Sequence, residues 1–240
     1  MKLSIIIPVF NEEKTIERIL NKVSAVSLPQ VVKEIIVIND GSNDNTELQI
    51  KNYELQNKKQ IIRVIRHKKN YGKGQAVRTG IKYATGEYIL IQDADAEYDP
   101  TDIIRLLEPI QQKRTQIVYG TRLKRLPNFK NEEKSIQFFI HYIGNKILSF
   151  LTSILYGQWI TDIETGYKIF PKRSVISMKL DAKGFEFEPE ITAKFLKAGY
   201  KIKEVSIRTN PRGYSEGKKL NTMRDGLKAL YAIIKYKFIS

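Results

Sequence analysis

Residues 86–100 read Gly-Glu-Tyr-Ile-Leu-Ile-Gln-Asp-Ala-Asp-Ala-Glu-Tyr-Asp-Pro. The run Glu87 to Ile91 passes directly into two aspartates one residue apart, Asp93 and Asp95. A short apolar run of this kind is a strand buried on both faces. Two carboxylates at its mouth repel each other unless a cation lies between them. Hard oxygen ligands suit Mg²⁺ or Mn²⁺ held beside phosphate oxygens. The other reading is two solvated aspartates opening a turn before Pro100.

Upstream, the pattern repeats. Leu3 to Val9, Glu34 to Ile38 and Ile61 to Ile65 are further apolar runs, and Ile117 to Tyr119 is a short fifth one. Between them lie helical stretches: one capped by Asn11, then Asn43 to Asn57, Gln75 to Ala84 and Thr101 to Lys113. Strands alternating with helices predict an α/β fold with a mostly parallel sheet and helices on both faces. Ligands of such sheets bind beyond the carboxyl ends of the strands. Phe10-Asn11-Glu12, Asn39-Asp40-Gly41-Ser42 and Asp93-Ala94-Asp95 all stand at strand ends, so three polar clusters are expected to converge on one crevice.

The second half differs. Leu123 to Lys134 is polar and basic and reads as a loop. Residues 136–160 are rich in Phe, Ile, Leu and Tyr, with Gly144 and Gly157 interrupting. Apolar positions 136, 139, 140, 143, 147, 148, 151, 154 and 155 recur at helical spacing, which suits a core helix. Phe138, Tyr142 and Phe150 widen that face, which beside a basic loop suits an element lying in a membrane interface. Thr161 to Phe170 looks strand-like, Phe187 to Ala198 helical, Lys201 to Val205 a strand, and Thr222 to Tyr236 a last amphipathic helix.

The 240 residues are 42% hydrophobic, enough for a substantial core, and contain no cysteine, which excludes disulfides and thiolate chemistry. No secretory leader is evident, and no run is read as reaching the roughly 20 apolar residues of a spanning helix. The formal net charge of +15 favours polyanionic partners: phosphorylated substrates, an anionic membrane surface or nucleic acid. No recognition-helix, zinc-finger or RNP pattern supports nucleic acid.

Taken in order, Ser4-Ile-Ile-Ile-Pro-Val-Phe-Asn-Glu-Glu13, Ile38-Asn-Asp-Gly-Ser42, Gly72-Lys-Gly-Gln-Ala76, Gln92-Asp-Ala-Asp95, Thr161-Asp-Ile-Glu-Thr-Gly-Tyr-Lys-Ile-Phe170, Gly184-Phe-Glu-Phe-Glu-Pro-Glu190 and Tyr214-Ser-Glu-Gly-Lys-Lys219 resemble the family 2 glycosyltransferases of GT-A fold. The similarity is greatest to the branch containing dolichol-phosphate mannosyltransferase and bacterial polyprenyl-phosphate sugar transferases, and it spans nearly the whole chain. It implies one GT-A domain with a nucleotide-sugar-binding half (1–120) and an acceptor-binding half (121–240) carrying the interfacial helix 136–160.

The implied roles follow from the matched motifs. Pro8, Phe10, Glu12 and Asp40 would hold the nucleotide, Asp93 the ribose and metal, and Asp95 the metal, with Glu97 near it. Arg122, Arg212, Lys218 and Lys219 would meet the acceptor phosphate, for which charge-assisted bonds are strong. Asp162 and Glu164 stand where other members place a catalytic base. A lipid phosphate, already ionised, would need them only for positioning, whereas a hydroxyl acceptor would make one of them the general base. His67 and His141 are assigned no catalytic role.

The resemblance thus implies an inverting, Mg²⁺- or Mn²⁺-dependent transfer from GDP-mannose or a UDP-hexose to dolichyl or undecaprenyl phosphate. It would take place at the cytoplasmic face of a membrane, with a membrane-anchored protein as a further partner. A saccharide acceptor is the alternative. A sugar nucleotidyltransferase would carry a Gly-rich basic loop after the first strand, where Pro8-Val-Phe-Asn-Glu12 stands instead. Two features depart from the family pattern: Asn39 replaces an acid, and the chain stops at Ser240 without the transmembrane helices of many relatives.

Overall fold

The computed structural model describes residues 1–57, 62–122, 136–211 and 222–239. In chain order the elements are β1 (Lys2–Val9), α1 (Ile16–Ala25), β2 (Val32–Asn39), α2 (Thr46–Gln56), β3 (Ile62–Arg66), α3 (Lys73–Tyr83) and β4 (Tyr88–Ile91). A 3₁₀ turn, Pro100–Asp102, then leads into α4 (Ile103–Gln111). The second half adds β5 (Ile117–Thr121), α5 (Ile136–Tyr156), β6 (Lys168–Pro171), α6 (Arg173–Ile176), α7 (Phe187–Lys197), β7 (Ile202–Ser206) and α8 (Thr222–Phe238).

The strands form one sheet in the order β3-β2-β1-β4-β6-β5-β7. Pairing is parallel except around β6, which runs antiparallel to both β4 and β5. β6, which follows β5 in the chain, is thereby inserted between β4 and β5. The central strands are apolar on both faces because both faces are covered. Leu3, Ile5, Ile7 and Val9 pack with α1, α2 and α4 on one side. Ile6, Ile36 and Ile38 pack with α3, α5, α7 and α8 on the other.

Pro8 is tolerated in the centre of this sheet for a specific reason. β1 pairs with β2 along its whole length but with β4 only from Leu3 to Ile6. Ile6, on the same side of β1 as Pro8, makes the last bond in that direction, its carbonyl accepting from the Gln92 amide at 2.9 Å. The missing proline N–H therefore falls beyond the β4 ladder and breaks no pairing.

Three regions depart from the sequence reading. The helix expected to be capped by Asn11 begins only at Ile16, with Thr15 at its N-cap position. Of the strand-like stretch 161–170, only Lys168 onward pairs; Thr161 to Gly166 form a loop above the sheet. The helix expected over 136–160 passes through Gly144 and ends before Gly157, whose φ of +72° stops it. Its polarity is inverted. Asn145, Ser149, Thr152 and Ser153 face the domain, whereas Phe139, Ile140, Ile143, Ile147, Phe150 and Ile154 are exposed. By length and composition alone, Phe138–Tyr156 could cross a bilayer, contrary to the expectation of no such run. Its inner face packs on α7 and α8.

Candidate active site

The carboxyl ends of β1, β2, β4 and β5 open into a cavity of about 410 Å³. Its wall includes Pro8, Phe10, Glu12, Asp40, Asp93, Asp95, Glu97, Arg122 and Glu164. Nine residues singled out in the sequence are thus brought to one place. Asp162 is not among the lining residues, and Arg212, Lys218 and Lys219 lie outside the described residues.

Asp40, at the end of β2, is 2% exposed. Its carboxylate accepts from the backbone N–H groups of Tyr71 (3.1 Å) and Gly72 (2.8 Å) and lies 2.6 Å from Nδ1 of His67. His67 in turn meets Thr79 Oγ1 at 3.0 Å. Asp40 therefore fixes the β3–α3 loop as well as lining the cavity, and His67 serves that loop. Asn39 is also engaged: its Nδ2 donates to Glu47 at 2.9 Å and its Oδ1 accepts from the Ser42 amide at 3.0 Å. An amide can do both, which a carboxylate could not. Glu12, at the start of the β1–α1 segment, accepts from Thr15 Oγ1 at 2.6 Å.

The two aspartates after β4 are treated differently. Asp93 pairs with Lys73 at 2.7 Å. Lys73 also approaches Glu188 at 3.2 Å, and Glu188 pairs with Lys168 at 2.6 Å. Burial acts to lower the Lys73 pKa, but Asp93 first and Glu188 second outweigh it and raise it, so the ammonium stays charged. Burial lowers that of Lys168. Gly166 lies against the Asp93–Lys73 pair so closely that a Cβ there would collide with both. Asp95 has a cavity-lining carboxylate whose Oδ1 accepts from the Glu97 amide at 3.1 Å. Among the described residues no group of three or more Asp, Glu, His or Cys is gathered to hold a metal.

Arg122 follows β5. Its Nε and Nη2 donate to the two oxygens of Asp162, each at 2.8 Å, and its backbone N–H to the same carboxylate at 3.0 Å. Asn145 of α5 adds a fourth donor at 2.8 Å. Asp162 is wholly buried. Burial acts to raise its pKa, but the Arg122 charge and these hydrogen bonds hold it at about 2. A carboxylate so fully used and so acidic is a poor proton acceptor; it aims Arg122 at the cavity. Beneath Arg122, Tyr98 stacks on Tyr167 with centroids 5.0 Å apart. Glu164, by contrast, lines the cavity, with Oε2 3.8 Å from Nε2 of His141.

The sequence reading did not find Lys73, Lys168 and Glu188 as a charge network, nor the contribution of α8. Arg224, Asp225 and Lys228, from the first turns of α8, complete the cavity wall beside His141 of α5. Lys73 was visible within Gly72-Lys73-Gly74, but its partners are 20 and 115 residues away.

Residues 4–177 match the family model described as glycosyl transferase family 2, and the chain belongs to that family. It is 33% identical to the UDP-N-acetylglucosamine–dolichyl-phosphate N-acetylglucosaminyltransferase of Methanococcus voltae, over 97% of this chain and 95% of that protein. It is 25% identical to the dodecaprenyl-phosphate galacturonate synthase of Rhizobium johnstonii, over 91% of this chain and 62% of that one. Among solved structures it resembles glucosyl-3-phosphoglycerate synthase of Mycobacterium tuberculosis in complex with Mn²⁺, UDP and glucosyl-3-phosphoglycerate. The TM-score there is 0.74 at 17% identity, covering the whole of this chain and 81% of that one. The fold is GT-A, and the protein is a glycosyltransferase.

Proposed function

We propose that the protein transfers a sugar, with inversion, from a nucleotide sugar to a polyprenyl phosphate. One observation carries the lipid acceptor: the cavity wall includes residues of α5 and α8, and these two helices carry most of the exposed large apolar side chains described in the second half. On α5 this surface runs from Phe139 to Ile154; on α8 it comprises Met223, Leu227, Tyr231, Ile234 and Phe238. Trp159 extends it, and Lys228, Lys235 and Lys237 add positive charge on α8. Solvent-facing apolar surface on this scale beside basic groups suits the interface of an anionic membrane. The near full-length similarity to the M. voltae enzyme supports the same reading and makes UDP-N-acetylglucosamine the first donor to test.

On this reading Pro8, Phe10, Glu12 and Asp40 frame the nucleoside, with Asp93 held against Lys73 as a fixed floor. Asp95 is the carboxylate suited to a divalent cation, with Glu97 beside it. Mg²⁺ and Mn²⁺ bind through one or two carboxylates and take their remaining oxygens from substrate phosphates and water. That no ligand cluster is preassembled among the described residues is compatible with that chemistry. When bound, the cation would offset the charge of the departing diphosphate. Arg122, aimed by Asp162, binds the acceptor phosphate and sets one of its oxygens opposite the diphosphate. That oxygen attacks the anomeric carbon while the carbon–oxygen bond to the diphosphate breaks, its electrons leaving with the nucleoside diphosphate. The phosphate is already ionised, so no base is needed and the rate rests on alignment.

The test is nucleoside diphosphate release from UDP- and GDP-sugars with Mn²⁺ or Mg²⁺. The acceptor would be supplied in anionic vesicles or as a short polyprenyl phosphate in detergent. We expect release that requires the lipid phosphate and is abolished in Asp95→Asn. The double variant Ile147→Glu/Phe150→Glu should lose turnover on vesicles about tenfold or more and keep it in detergent. Turnover on a free saccharide without lipid, dependent on Glu164, would replace this reading with a hydroxyl acceptor.

A further inference from the structure

The segment Gly184-Phe-Glu-Phe-Glu-Pro-Glu190 places three glutamates at alternate positions, and the structure treats them unequally. Glu188 is neutralised by Lys73 and Lys168. Glu190 accepts from the backbone N–H groups of Asp181 and Ala182, each at 2.8 Å, and pairs with Lys194 at 2.7 Å. Glu186 has no lysine or arginine among its described partners. Its Oε1 accepts from the backbone N–H groups of Lys183 (3.3 Å) and Gly184 (3.1 Å). Its Oε2 is shielded from solvent and has no hydrogen-bond partner among the described residues. Glu186 also lines the cavity, together with Gly184 and Phe185.

The position of this carboxylate is fixed. Residues 182–184 lie against the first turn of α3, where the Gln75 amide donates to the Lys183 carbonyl at 3.2 Å. Gly72 and Gly74 have no room for a Cβ because the backbone of Lys183 and Ala182 occupies that space. The same turn of α3 carries Lys73, the partner of Asp93. Glu186 therefore lines the same cavity as Asp93 and Lys73, with one oxygen clamped by backbone and the other unpaired among the described residues. A buried acceptor left unpaired is costly, and binding a donor there recovers that cost.

We infer that Glu186 reads the donor sugar: its carboxylate accepts from a hydroxyl or amide N–H of the hexose, and its charge admits neutral sugars and excludes uronic acids. This rests on the reading of the cavity as a nucleotide-sugar site. An ionised carboxylate only accepts hydrogen bonds, so it complements the hydroxyls of a hexose or the acetamido N–H of an N-acetylhexosamine. The carboxylate of a uronate would meet it as a like charge in a confined space. The chain is therefore assigned a neutral donor.

The experiment measures KM and kcat for matched neutral and uronate donors, UDP-N-acetylglucosamine, UDP-glucose and UDP-glucuronate. It uses wild type, Glu186→Gln and Glu186→Asp, with acceptor KM and the Kd of UDP with Mn²⁺ measured alongside. Wild type should prefer the neutral donors. In Glu186→Gln the neutral-donor kcat/KM should fall about 10-fold or more, the preference over the uronate should shrink by a similar factor, and UDP affinity should stay within about twofold. Glu186→Asp should keep the rejection of the uronate. Equal use of neutral and uronate donors by wild type overturns the inference while leaving the nucleotide-sugar reading intact. A Gln effect confined to acceptor KM or to UDP affinity overturns it too. Failure of wild type to turn over any nucleotide sugar removes the parent reading instead.

Discussion

Two carboxylates are buried at opposite ends of the same sheet, and both are held at a pKa of about 2. Asp162, above the carboxyl ends, is opposed by a cation, Arg122, in bidentate geometry. Glu34, at the amino ends, is held mainly by neutral donors. It accepts from Ser4 Oγ at 2.5 Å and from Thr85 through both its N–H and its hydroxyl at 2.6 Å, while the Gly86 amide stands at 3.2 Å. At each site burial pushes the pKa up, and the partners outweigh it. The shifted pKa is the same; the consequence is not. Glu34 ties β1, β2 and the entry to β4 together and is not among the residues that line the cavity. Asp162 spends its bonds aiming a cation into that cavity. A perturbed carboxylate marks a functional site only when what it holds faces a substrate.

The comparison breaks most visibly at Asp162. Asp162→Asn keeps the shape but loses the charge and one acceptor oxygen, so Arg122 is no longer gripped on two sides. We expect kcat/KM for the lipid phosphate to fall on the order of 100-fold, as for a charge-assisted pair lost at a reacting group, with acceptor KM rising and UDP affinity unchanged. Steady-state kinetics with separate nucleotide titration checks this. A base role would instead leave acceptor KM untouched and flatten the pH–rate profile on its acid side.

Glu34→Gln should do the converse, sparing kcat/KM and lowering stability by about 2 kcal/mol through loss of a buried acceptor. The pH dependence gives the finer signature. Because the folded pKa of Glu34 lies below its ordinary 4.5, its contribution is complete above about pH 5 and is lost as pH falls through 4.5 towards 2. Urea unfolding at pH 7 and pH 3.5 should show the gap between wild type and Glu34→Gln narrowing at the lower pH. A gap that widens on acidification would mean that Glu34 is protonated in the folded protein.

The contrast also shows what was legible in the sequence. The runs at β1, β2 and β4 announce themselves because strands buried on both faces are apolar without a break, and their polar ends then fall together by topology. Asp93, Asp95 and Asp40 could be placed from that alone. Asp162 and Glu34 could not. In sequence, Glu34 is only the first residue of an apolar run, and its partners Ser4 and Thr85 become neighbours through the β1–β2 and β1–β4 pairings. Asp162 meets Arg122 only because β6 turns back antiparallel between β4 and β5, a reversal that local pattern does not encode. The same limit applies to α5. Helical spacing shows that its apolar residues share a face, but Asn145 bonded to Asp162 is what turns the opposite, polar face inward.

The smallest effect is the one that separates the two sites most cleanly. Lys2 approaches Glu34 at 3.3 Å, and in a contact diagram this looks like the counterpart of the Arg122–Asp162 pair. It differs in two respects. The Lys2 side chain is 38% exposed, so water screens its charge, and among the influences that lower the Glu34 pKa it ranks behind Ser4 and Thr85. Exposed ion pairs contribute little, about 0.5 kcal/mol or less. Lys2→Met should therefore change stability at pH 7 by no more than that, and raising the salt concentration should not change the difference between Glu34→Gln and wild type. If Lys2→Met instead reproduced most of the Glu34→Gln loss, Glu34 would be held by a cation as Asp162 is. The distinction between a carboxylate that closes the fold through neutral donors and one that orients a charge for the reaction would then collapse.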